Sequence, residues 1–171
     1  MPYLTAISRI RSEFQDTYEK MSLIEKIEAE VEIKASAKRF HETNSKRIAE
    51  VPKLSPNFVQ SVDLLEGEWG KEGSVMCWYF VFDGKAVMSK EVIETIDDKN
   101  YLATYKVIGG ILKEMYKSFK FTIQVIPKGE ESMVHWTLEY EKLNADDPDA
   151  SSMLQYLLRQ SKEVDAHLAL E

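Results

Sequence analysis

Cysteine is almost missing from this chain of 171 residues: Cys77 stands alone. One thiol closes no intramolecular disulfide, which fits a reducing compartment, and the expected location is cytoplasmic. No apolar run approaches the roughly 18 residues that a membrane-spanning helix needs, so no span is expected. Positive charge is also short, with 22 Lys and Arg against 29 Asp and Glu and a formal net charge of -7. That balance gives no basic footprint for a phosphate backbone, and no nucleic-acid partner is expected. There is no Asn-x-Ser/Thr site. The three histidines, His41, His135 and His167, have no metal-ligand spacing, so neither a metal nor another cofactor is expected. No nucleophile–base pair is visible, and no catalytic residue is assigned.

What is present is an ordinary single-domain composition, 44% hydrophobic and 30% charged. The chain is organised around its C-terminal run, Pro148 to Leu168. Asp147 suits a cap and Pro148 the first helical position. Met153, Leu154, Leu157, Leu158, Ser161, Val164 and Leu168 recur at three- and four-residue spacing and share one face.

Most of the segment between Ile24 and Leu143 reads as strand. Ile27, Ala29, Val31 and Ile33 alternate with Glu28, Glu30, Glu32 and Lys34, the pattern of a half-buried antiparallel strand. A short helical stretch, Ala37 to Ile48, follows, with two small helices meeting near Asn44 or Ser45. Pro52 and Pro56 are expected to break it. Strands then run over 58–66, 74–82 and 85–96, the last two joined by the Asp83-Gly84 hairpin signal. Further strands cover 101–108, 119–125 and 134–140, and Gly109-Gly110 suggests a bulge or bend. Seven strands with short turns imply an antiparallel meander beneath one long helix. Residues 1–20 carry a weak helical stripe, Tyr3, Leu4, Ile7, Ile10, Phe14 and Tyr18. They read as an extension, helical or poorly ordered, to a domain of residues 21–171. An alternative start codon at Met21 is the expected explanation, and a partner-binding helix is the competing one.

The local wording resembles the major latex protein branch of the plant birch-pollen-allergen (Bet v I) superfamily. Leu65-Glu66-Gly67-Glu68-Trp69-Gly70, Gly73-Ser74, Trp78, Asp83-Gly84-Lys85 and Lys90-Glu91 carry the first part of the match. Tyr116 to Lys120, Val125 to Gly129, Trp136 to Asn144 and Lys162 to Leu168 carry the rest. The resemblance implies an α+β helix-grip (START-like) fold, a seven-stranded curved antiparallel sheet around the C-terminal helix, with two short helices after the first strand. It also implies a cavity for hydrophobic metabolites such as steroids, fatty acids, flavonoids or hormone-like compounds, and a role in plant defence or stress. Some relatives are enzymes of specialised metabolism, so an isomerase or cyclase using the same cavity is the alternative. A monomer, or at most a weak dimer, is expected. Gly109-Gly110-Ile111 and the stretch 149–155 depart from the family pattern.

The expected cavity walls are Met76, Trp78, Phe80, Met88, Lys90, Tyr105, Val107, Phe121 and Trp136 from the sheet, with Leu154, Leu157 and Leu158 from the helix. Aromatic side chains of this size line a pocket as readily as they fill a core. Lys90 falls in phase with Met88 and Val92 and is placed at the rim. Cys77 falls out of phase with the inward set and reads as an inert thiol. Tyr105, Lys90 and Glu91 are the acid–base candidates should there be catalysis. The glycine loop Gly67, Gly70, Gly73 invites a phosphate-binding reading. It lacks the Gly-Lys-Ser/Thr ending, however, and Glu66, Glu68 and Glu72 would repel an anion. A tight turn is the better account.

Overall fold

A computed structural model describes residues 1–171, apart from the side chains of Lys20, Met21 and Ser22. The expected domain start at Met21 therefore falls outside the described side chains. The order of elements is α1 (Pro2–Ser22), β1 (Ile24–Ile33), α2 (Ala37–Thr43), a 3-10 turn (Ile48–Glu50), α3 (Val51–Leu54), β2 (Val59–Glu66), β3 (Val75–Phe82) and β4 (Lys85–Asp97). Then come β5 (Leu102–Gly110), α4 (Ile111–Met115), β6 (Tyr116–Lys128), β7 (Glu131–Lys142) and α5 (Ser151–Leu168).

The seven strands form one antiparallel sheet in the order β1-β7-β6-β5-β4-β3-β2. Strands β2 to β7 are a meander, and β1 returns to pair with β7 from Ile24↔Glu141 to Ile33↔Ser132. The alternation in β7 has its expected result. Val134, Trp136, Leu138 and Tyr140 are buried, while His135 lies on the other face between Glu28 and Glu30. The sheet curves around α5, whose buried residues include Met153, Leu154, Leu157, Val164 and Leu168.

Two boundaries differ from the sequence expectation. Helix α5 starts at Ser151 rather than Pro148, and Asp147 accepts from the Asn144 amide instead of capping it. Ala150 takes the cap position, its N–H donating to the Tyr140 hydroxyl at 3.0 Å. Pro52 does not end helical structure. It occupies the first turn of α3, where no N–H is required of it, and Val51 ahead of it is helical at φ -55°, ψ -41°. The five-residue α4 was not expected. It follows Gly110, whose φ of +91° leaves no room for a side chain, since a Cβ there would meet the Met88 carbonyl oxygen at 2.1 Å.

Helix α5 is fastened to the rest of the molecule near both ends. Asp165 accepts the backbone N–H groups of Lys34 and Ala35, each at 2.9 Å, just beyond β1. The Trp136 indole donates to Ser161 at 2.9 Å, and the Tyr156 hydroxyl donates to the Phe58 carbonyl at 2.9 Å. By contrast, the apolar residues of α1, among them Leu4, Ile7, Ile10 and Phe14, are exposed.

Candidate functional site: the cavity beneath the C-terminal helix

A void of about 80 Å³ lies between α5 and the sheet. Its sheet wall is Trp78 and Phe80 from β3, Tyr105 from β5, Phe121 from β6 and Trp136 from β7. The helix wall is Met153, Tyr156, Leu157 and Gln160, residues spaced by three and four and hence on one side of α5. Val59, Asn44 and Leu112 close the remaining sides, and β4 adds one carboxyl group, Glu91.

Six of the expected wall residues, Trp78, Phe80, Tyr105, Phe121, Trp136 and Leu157, thus meet around one space. The others do not line it. Met76 and Val107 are buried in the sheet wall, each a cross-strand partner of Glu91. Leu154 is buried and Leu158 half-buried against the core, on other parts of the helix surface.

Strand β4 corrects the sequence reading most sharply. Met88 is 39% exposed and Lys90 only half-buried, whereas Ser89, Glu91 and Ile93 are buried. Pairings of Trp78 with Ser89 and Met76 with Glu91 put the odd-numbered residues on the cavity side. Met88 and Val92 invited the opposite phase because they are apolar and Ser89 and Glu91 are not. Of the three acid–base candidates, Tyr105 and Glu91 therefore border the cavity and Lys90 does not.

The glycine loop lies apart from the cavity. Gly67 and Gly70 adopt φ of +84° and +78°, and a Cβ on Gly70 would strike the Lys46 backbone at 2.8 Å. Ser74 holds the loop by donating to the Glu68 carbonyl and accepting from the Glu68 amide. The glycines permit this tight turn and its close approach to the segment after α2. Cys77 is buried.

The polar groups of the cavity differ in how they are satisfied. Tyr105 donates its hydroxyl to the Asn44 carbonyl, which ties β5 to the end of α2. Tyr156 donates to Phe58, and Gln160 donates to the Ser55 hydroxyl at 3.3 Å. Burial pushes both tyrosine hydroxyls well above their ordinary range, so both remain protonated donors. Glu91 is 8% exposed and joins no ion pair among the described residues. Burial in an apolar wall pushes its carboxyl group up to about 7. The Trp78 indole N–H is buried without a partner.

Asn44, Val59, Leu112, Met153, Tyr156 and Gln160 were missed as wall residues, and Glu91 was expected only as an acid–base candidate. Tyr156 had a readable signal, an aromatic residue three positions after Met153. Asn44, Val59 and Leu112 had none, because they stand at the end of α2, the start of β2 and in the short α4, whose placement against the cavity only the tertiary structure sets.

Comparisons with known proteins agree with this fold. Residues 22–171 match the model of the pathogenesis-related protein Bet v 1 family. The chain is 46% identical to MLP-like protein 43 of Arabidopsis thaliana over 155 residues, 90% of this chain and 98% of that protein. It is also 46% identical to MLP-like protein 34 of the same plant, of which it spans 49%. The crystal structure of ginseng major latex-like protein 151 from Panax ginseng superposes with a TM-score of 0.82 at 40% identity, covering 85% of this chain and 97% of that one. On this evidence the chain belongs to the Bet v 1 family, among its major latex protein-like members.

Proposed function

We propose that the protein binds a small hydrophobic metabolite in the cavity between α5 and the sheet, without transforming it. The observation that carries this reading is a space between helix and sheet walled by six aromatic side chains and edged by a few polar groups. Apolar burial supplies the affinity. At about 25 cal/mol per Å², a ligand that hides roughly 300 Å² gains roughly 7 kcal/mol before entropic costs. Family membership supports the same reading, and a steroid, fatty acid, flavonoid or hormone-like compound remains the proposed range. A cytoplasmic monomer acting in plant defence or stress is the proposed setting.

The void sets a condition on size. At about 80 Å³ it is smaller than the roughly 150 Å³ engineered cavity that takes up benzene. A steroid or flavonoid therefore enters only as wall side chains move aside, and Met153, unbranched and adaptable, is suited to yield. Titration with an environment-sensitive apolar dye, followed by competition with steroids, fatty acids and flavonoids, tests the proposal. Saturable, displaceable binding by the folded protein is expected, and its absence overturns the reading.

The alternative is an isomerase or cyclase working in the same cavity. What favours it is Glu91, a lone carboxyl group that gains or loses its proton near neutrality beside an apolar space.

A further inference from the structure

The geometry points to a hydrophobic amine as the ligand class: an apolar molecule whose protonated nitrogen pairs with Glu91. This inference rests on the cavity-binding reading and narrows it.

The argument begins with which polar groups are free. Tyr105, Tyr156 and Gln160 each spend a donor on a protein oxygen, respectively the Asn44 carbonyl, the Phe58 carbonyl and the Ser55 hydroxyl. Those donors are not waiting for an acidic or carbonyl-bearing ligand. Glu91 is the reverse case, an acceptor when ionised, buried, and in no ion pair among the described residues, with the neighbouring Ser89 hydroxyl favouring its ionised form but bringing no charge. No Lys, Arg or His is among the described residues that line the cavity. The site thus lacks a cation and holds one acid.

Each ligand class meets that arrangement differently. A fatty acid would bring its carboxylate towards Glu91 with no cation between them, and like charges in a poorly solvated site repel. A neutral sterol or flavonoid would leave an ionised Glu91 without a counter-charge. An ammonium group supplies both the counter-charge and hydrogen-bond donors that a buried carboxylate needs. Trp78, Phe121 and Trp136 line the same space, and aromatic rings attract a cation where one lies over a ring face. The Trp78 N–H, buried without a partner, suits an oxygen elsewhere on such a molecule.

Three naphthalene probes that share a ring system and differ in head group test the inference: 2-naphthylmethylamine, 2-naphthalenemethanol and 2-naphthoate. Calorimetric titration of the full chain at pH 8 should give an amine that binds at least tenfold tighter than the alcohol, with the carboxylate weakest. Glu91→Gln should bring the amine to within threefold of the alcohol. Equal affinity of amine and alcohol for the wild-type protein overturns the inference and needs no variant. So does a preference for amine that survives in Glu91→Gln with its fold intact by circular dichroism. Binding of the alcohol without preference for the amine would leave the hydrophobic-binder reading standing. Failure of all three probes, together with failure of the dye, would remove both.

Discussion

The two polar regions where α5 meets the sheet have opposite designs. At the C-terminal end, Asp165 accepts two backbone N–H groups and Ser161 accepts the Trp136 indole, so buried polarity is matched group for group. In the middle, Glu91 is as deeply buried as Asp165 but has no cationic partner among the described residues. One carboxyl group belongs to α5 and the other to β4, and both are buried in the same core. The first serves to hold the fold together. The second lowers stability when ionised, and its placement makes sense where something from outside completes it.

Three substitutions bear on this contrast. Asp165→Ala strands the Lys34 and Ala35 amides and should have the largest effect, a loss of about 4 kcal/mol in a chemical denaturation curve. A loss below about 1 kcal/mol would mean that the clamp contributes little and would break the comparison. Glu91→Gln should change the pH dependence of stability. The folded protein holds the Glu91 proton up to about pH 7, whereas the ordinary value in the unfolded chain is 4.5. Wild-type stability should therefore decline as pH rises from about 4.5 to about 7, by about 3 kcal/mol in all, and level off above that. The variant should lack this decline, which denaturation at pH 4 and pH 8 would reveal. Matching slopes in the two proteins would show that Glu91 is not held protonated. Ser161→Ala leaves the Trp136 N–H without its acceptor and should cost about 1–2 kcal/mol, read from the thermal midpoint.

How much could be read in the sequence follows from the same division. Strands β1 and β7 were legible because the alternation of Ile27, Ala29 and Val31 or of Val134, Trp136 and Leu138 reports one inner and one outer face directly, and the β3–β4 hairpin was legible from its Asp83-Gly84 turn. The architecture followed from those strands and one amphipathic helix. Strand β4 was misread because the side facing a cavity need not be apolar. Ser89 and Glu91 turn inward, so Met88 and Val92 gave a false phase. On α5 the heptad-like pattern marked a buried face correctly but not its division. Leu154 packs against the core, while Met153, Tyr156 and Gln160 border the space. The start of α5 was set by Tyr140, a partner on another element that no local pattern announces.

Helix α5 behaves as a beam pinned near each end, by Tyr140 at Ala150 and by Asp165 at the far side. Such a beam does not swing open as a door would. Admission of a guest then falls to side chains along its span, such as Met153 and Leu157, rather than to the helix as a whole.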